Sequence, residues 1–208
     1  IENKIQTKFG SLNQINAFQK CIEKSTGDVI FFLDKLCVIY NDIRKFGFFK
    51  LEHYKNINNS QHFKSIGIEP LSEELEATWL SKILRKKSQN IKSFLMNQKY
   101  IAGLGNIYCS EALFDAKITP LKICKDLTFT QTQKMIFSIK KVLRKAIKSG
   151  GTSLQNFEDP YGNIGYFSNH LKVYNRFQEV CYRCQKDIKI IKVIIQGRST
   201  FYCRRCQK

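Results

Sequence analysis

Apolar positions along this chain change their period twice. Between Val29 and Tyr40, two apolar runs, Val29-Ile-Phe-Phe-Leu33 and Leu36-Cys-Val-Ile-Tyr40, flank the polar pair Asp34-Lys35, the pattern of two strands joined by a tight turn. Phe46 to Leu51 offers a further strand, and the weaker patterning of residues 1–18 suits a strand without partners. Near Pro70 the spacing lengthens to that of helices. Ser72-Glu-Glu-Leu75 fits a helix start with Ser72 as cap; Leu75, Trp79, Leu80, Ile83 and Leu84 then make one apolar face, and Arg85-Lys-Lys87 complements the C-terminal carbonyls. A short helix from Asn90 to Met96, the glycine-bearing loop Ala102-Gly-Leu-Gly105 and a helix from Asn106 through Ala116 follow. Pro120 ends that unit, and Thr130 to Lys148 is the longest helix, stopped by Gly150-Gly151.

Residues 152–180 keep no clean period and read as a long, partly mobile loop around Asp159-Pro-Tyr-Gly162; loops of that length in compact domains are usually functional. The β pattern then returns: Ile188, Ile190, Ile191, Val193, Ile194 and Ile195 are β-branched, Gln196-Gly197 supplies a turn, and Ser199–Tyr202 forms the return strand with Arg198 at its start. The expected class is α+β in four parts. These are a β-rich N-terminal domain (an incomplete sandwich) over 1–68, a helical domain over 69–150, a long loop and linker over 151–180, and a terminal hairpin over 181–208.

Cysteines bracket that hairpin. Cys181-Tyr-Arg-Cys184 and Cys203-Arg-Arg-Cys206 have the spacing of a zinc ribbon, in which each tight turn aims two thiolates at one ion. The expectation is one structural Zn²⁺ held by Cys181, Cys184, Cys203 and Cys206; a coincidental thiol cluster is the alternative. The other four cysteines, Cys21, Cys37, Cys109 and Cys124, sit among apolar neighbours and read as small core residues in a reducing compartment.

Charge narrows the partner. Lys and Arg number 35 against 17 Asp and Glu in 208 residues, a net charge of +18, which points to a polyanion and by default to nucleic acid. No apolar run approaches the roughly 18 residues of a transmembrane helix, so a membrane role is not expected. The expected setting is the cytoplasm, on the nucleoid.

One stretch carries a specific resemblance. Asn97-Gln-Lys-Tyr-Ile-Ala-Gly-Leu-Gly-Asn-Ile-Tyr-Cys-Ser-Glu-Ala-Leu-Phe114 resembles the helix–two-turns–helix signature of the formamidopyrimidine-DNA glycosylase and endonuclease VIII family. Asp42-Ile-Arg-Lys-Phe-Gly47, Gly150-Gly-Thr-Ser-Leu154, Gly162-Asn-Ile-Gly-Tyr-Phe167 and the ending Gly197-Arg-Ser-Thr-Phe-Tyr-Cys203-Arg-Arg-Cys206-Gln-Lys208 agree with it, closest to the formamidopyrimidine branch. The resemblance implies a base-excision-repair enzyme, a bifunctional glycosylase and abasic-site lyase that removes oxidised purines such as 8-oxoguanine and formamidopyrimidines from duplex DNA.

The same resemblance implies residue roles. Asn106, Lys92 and Arg198 would hold the phosphates flanking the lesion, with Lys87 a further phosphate contact, and Arg198 would also act catalytically in the elimination on the 5′ side. Arg44 and Phe46 would enter the duplex, the guanidinium facing the orphaned base and the ring wedging a step, as apolar wedges do in kinked DNA; on composition alone, Phe46 folding back into the core is the other reading. The family's third filler, a Met, has no counterpart in Lys8-Phe-Gly-Ser-Leu12, nor its lesion-side His in Lys24-Ser-Thr-Gly27.

The family's nucleophile is a proline at the mature N-terminus, followed by a glutamate. This chain opens at Ile1, and its prolines are Pro70, Pro120 and Pro160. The expectation is a monomer that grips damaged duplex DNA, starts inside the β domain and is inactive without the N-terminal Pro-Glu. The alternatives are a non-catalytic damaged-DNA-binding protein and an RNA-binding zinc-ribbon protein.

Overall fold

The computed structural model describes residues 64–152, 165–185 and 187–208 in full, and the backbone of 29–33 and 36–40. Two compact units divide the chain, Ile1–Tyr54 and Lys55–Lys208. In the first, β1 (Val29–Leu33) pairs antiparallel with β2 (Leu36–Tyr40), Val29 opposite Tyr40 and Leu33 opposite Leu36, the hairpin expected from the two apolar runs. The rest of the expected β sandwich, with Arg44 and Phe46, lies outside the described residues.

Among its described residues the second unit holds four α-helices: α1 (Ala77–Leu84), α2 (Ile91–Leu95), α3 (Asn106–Asp115) and α4 (Phe129–Lys148). Their shared core includes Leu80, Leu84, Phe94, Leu113, Met135 and Ile139, all fully buried. Helix α4 begins one residue before the expected start, because Thr128 and Gln131 form a reciprocal capping box. Helix α1 begins four residues later than expected. Ser72 does not cap it: its N–H and hydroxyl both bond to the carbonyl of Glu69, and its own carbonyl accepts from Lys140 of α4. The segment is thus committed to a turn that seats Leu75 in the core before the helix starts at the extended residue Glu76.

At the C-terminus β3 (Ile191–Ile195) pairs antiparallel with β4 (Arg198–Tyr202) across Gln196-Gly197, both in the left-handed region at φ 48° and 69°. Phe201, Ile190 and Val173 pack with Phe114 at the end of α3, so the hairpin shares a small core with that helix. Among the described residues no helix is long and apolar enough to cross a membrane. Cys109 and Cys124 are wholly buried, as expected of core residues; burial pushes the Cys109 thiol up to about 12, which keeps it protonated and inert.

Candidate nucleic-acid interface

The turn between α2 and α3 is held open by its neighbours. Gln98 accepts from the Gly103 N–H at 2.7 Å and donates to the carbonyls of Leu104 at 3.0 Å and Met96 at 3.1 Å, while Gly103 takes φ 70°, where a side chain would be strained. Segment 67–68 lies alongside: Gly67 N–H bonds to Gln98, Ile68 N–H to Tyr100, and Ala102 N–H to Ile68. A Cβ on Gly67 would overlap the Tyr100 carbonyl, so only glycine permits this approach.

The turn delivers an uncapped helix N-terminus. Gly105 occupies the cap position with no side-chain bond, and no acidic residue stands in the first turn of α3, so its free amides and dipole are left for an external anion. Asn106 and Arg198 line a pocket of about 360 Å³ there, together with Met96, Gln98, Leu104, Gly105 and Gln196. Asn106 Nδ2 donates to the Ser199 carbonyl at 3.0 Å; the amide carries two hydrogens, and the second is available to a ligand.

Lys92 sits beneath this surface rather than on it. It is wholly buried, its ammonium donates to Ser110 Oγ at 2.8 Å, and Ser110 Oγ in turn donates to the Asn106 carbonyl at 2.8 Å. Burial, reinforced by the nearby Arg198 and opposed by Cys109, lowers its pKa to about 8. Lys87 is elsewhere: its ammonium lies 5.0 Å from the Tyr100 ring centroid, a cation–π contact, and it does not line the pocket. The structure therefore brings Asn106, Arg198 and the underlying Lys92 together and leaves Lys87 to one side.

The four hairpin cysteines converge, their sulfurs all within 4.8 Å of one another. Cys181 Sγ is 3.9 Å from Cys206 Sγ and Cys184 Sγ 3.7 Å from Cys203 Sγ. Four sulfurs about 2.3 Å from one ion at tetrahedral angles stand about 3.8 Å apart, so the set fits a closed four-thiolate metal site. Burial raises the Cys203 thiol, yet the N–H groups of Cys206 and Arg205 outweigh it and hold its pKa below the ordinary value, favouring the thiolate.

Residues 66–158 match the formamidopyrimidine-DNA glycosylase H2TH domain. A formamidopyrimidine-DNA glycosylase of Wolbachia pipientis subsp. Culex pipiens is 41% identical over 180 residues, covering 86% of this chain and 65% of that protein. One from Histophilus somni is 43% identical over 169 residues, covering 81% and 61%. A Lactococcus lactis Fpg solved with abasic-site DNA superposes with a TM-score of 0.75 at 37% identity, covering 83% of this chain and 62% of that one. Residues 66–158 thus carry the H2TH domain of formamidopyrimidine-DNA glycosylases, and the chain resembles these enzymes over most of its length. It spans 65% of the length of the Wolbachia relative. A MutM solved with DNA containing carbocyclic 8-oxo-G matches with a TM-score of 0.73, also at 37% identity.

Within this glycosylase-like scaffold, α3 gathers the other parts around itself. Tyr108 bonds to Thr152 Oγ1 at 3.0 Å and its ring meets Phe167, while Tyr166 N–H bonds to Ser149 and Phe167 N–H to Gly151. These contacts bring the two ends of the stretch between Thr152 and Gly165 together. Glu111 is buried and accepts the consecutive N–H groups of Lys172, Val173 and Tyr174 at 2.8, 2.9 and 2.8 Å; burial raises its pKa and those three bonds oppose the rise. Gln98, Gly67, Tyr108 and Glu111 were not among the residues singled out from sequence. A glycine, a glutamine, a tyrosine and a glutamate carry no signal until their distant partners are in place.

Proposed function

We propose that this chain is the DNA-gripping body of a base-excision-repair glycosylase and abasic-site lyase acting on oxidised purines in duplex DNA. The observation that carries the reading is the meeting of Asn106 and Arg198 in one pocket at the uncapped N-terminus of α3. Backbone N–H groups, an amide donor and a guanidinium converging on one point match a phosphate diester, and the net charge of +18 supplies long-range attraction to the duplex. Relatives solved with abasic-site, 8-oxo-G and Fapy-dG DNA support the substrate class.

In this reading Asn106 and Arg198 hold the phosphates beside the lesion, Lys92 supplies positive charge from below, Lys87 adds an outlying phosphate contact, and Arg44 and Phe46 fill the space left by the extruded base. Arg198 also assists the 5′ elimination. Zn²⁺ is the metal of the four-cysteine site, where it fixes the hairpin that carries Arg198 and takes no part in bond cleavage, since four thiolates leave it no open position. The protein works as a monomer on the nucleoid.

Schiff-base formation needs an amine with a free electron pair. Pro70, Pro120 and Pro160 are internal, so their nitrogens are amides and none can serve. The test is a gel shift of the 208-residue chain with a duplex carrying 8-oxoguanine opposite cytosine or an abasic-site analogue, with borohydride trapping on the same sample. Preferential binding of the damaged duplexes without a trapped adduct is expected. Equal binding of damaged and undamaged duplex removes the lesion reading, and an adduct shows that another amine among these residues forms the Schiff base and removes the expectation of inactivity.

A further inference from the structure

Arg183 lies inside the first cysteine turn, yet its guanidinium is directed at α3. Nη1 donates to the carbonyl of Phe114 at 2.7 Å and Nη2 to that of Asp115 at 3.4 Å. The guanidinium carbon stands 4.3 Å from the Phe114 ring centroid, and Nη1 also faces Cys206 Sγ at 4.0 Å. The last turn of a helix concentrates partial negative charge on its carbonyls, and a planar fork with several N–H groups can meet two of them at once.

The opposite end of the same helix is tied to the same hairpin. Asn106 Nδ2 donates to the Ser199 carbonyl, one residue from Arg198. Helix α3 has ten residues and is therefore about 15 Å long. One attachment leaves the hairpin free to pivot; two attachments at opposite ends of a rigid rod fix its tilt and its position along the rod. Gln207 adds a bond to the Ile118 carbonyl just beyond the helix, so the hairpin stays docked when Arg183 is altered, but with less control over its angle.

We propose that Arg183 is a positioning residue: by capping the C-terminus of α3 from within the first cysteine turn, it sets where Arg198 stands over the first turn of that helix. The proposal rests on the reading of Arg198 as a phosphate contact. It links the metal site to the anion pocket through the rigid body of one helix, with no contact between Arg183 and the DNA.

A double-mutant cycle separates this role from general support of the fold. Affinity for a duplex carrying a tetrahydrofuran abasic-site analogue is measured for the wild-type chain, R183A, R198A and the double variant, each checked for one bound zinc and a native melting curve. R183A is expected to weaken binding about ten-fold when Arg198 is present and less than about two-fold when it is absent, because residues acting as one unit are not additive. R183K, which keeps the charge but loses the fork, is expected to fall between wild type and R183A, and it carries the test if R183A does not fold.

Equal losses from R183A with and without Arg198, or no loss at all, overturn the proposal. An R198A chain that binds as tightly as wild type overturns instead the phosphate reading beneath it, so the two failures are distinguishable.

Discussion

Asn106 donates its side-chain amide to the backbone carbonyl of Ser199 at 3.0 Å, joining the first turn of α3 to the strand that begins with Arg198. Two parts of the chain some ninety residues apart thus line one pocket. Asn106→Ala is expected to weaken binding to an abasic-site duplex by about 1.5–3 kcal/mol, the range for a hydrogen bond to a charged group. Asn106→Asp has nearly the same shape but cannot donate to Ser199 and repels phosphate, so it is expected to cost more. Fluorescence anisotropy at one fixed salt concentration checks the order; an aspartate variant that binds as well as the alanine variant contradicts it.

Lys92 should give DNA binding a pH dependence. Its buried ammonium has a pKa of about 8 in the folded chain against 10.5 ordinarily. Across that window the unfolded chain holds a proton that the folded chain has released, so stability rises with pH from about 8 towards 10.5; below 8 both forms are protonated and the cost of burying the charge is fully present. A bound phosphate favours the ammonium, so DNA affinity is expected to fall as pH rises through 8. Lys92→Met should flatten that dependence between pH 7 and 9.5 in titrations at constant ionic strength. An unchanged pH profile in the variant would place the titrating group elsewhere.

The metal site should be inseparable from the grip, because Arg198 stands on the hairpin between the two cysteine turns. Cobalt substituted into the chain is expected to give the intense absorption of tetrahedral thiolate coordination. Chelation should lower abasic-duplex affinity by about ten-fold or more, since metal binding and local folding are coupled, and added zinc should restore it. Metal-free protein that binds equally well would show that the cysteine cluster does not position Arg198.

Gly67 tests the turn from its back. The Cβ of Gly67→Ala would run into the Tyr100 carbonyl, which is backbone and cannot swing aside. Forcing that overlap is expected to cost about 1–3 kcal/mol of stability, seen as a lower denaturant midpoint. Substitution at the exposed Gly105, where a Cβ meets nothing within 4 Å, should be nearly silent for stability.

Much of this architecture was legible in sequence because its signals are local. The β1–β2 and β3–β4 hairpins, the long helix α4 to within one residue of its start, and the paired cysteines each depend on residues a few positions apart, and the structure has these elements where the sequence points. Ser72 misled because Lys140, far along the chain, takes its carbonyl and fixes a turn in place of a helix start. Lys92 reads as a surface cation in any one-dimensional view; only the packing of α2 on α3 encloses it and supplies Ser110 as its partner. Arg183 is one of several cations in the terminal hairpin segment, and its partners, the carbonyls of Phe114 and Asp115, have no side-chain identity for a sequence to record. Arg44 and Phe46 lie outside the described residues, so their roles stand on the family resemblance.

The measurement that bears most directly on the central claim is the salt dependence of abasic-duplex affinity for the wild-type chain and Arg198→Ala. If Arg198 and the N-terminus of α3 hold a phosphate, the variant should bind more weakly and its plot of log affinity against log salt should be shallower by about one unit, the signature of one lost phosphate contact. Parallel plots with unchanged affinity would mean that Arg198 touches no phosphate and that the pocket it shares with Asn106 is not where this chain holds DNA.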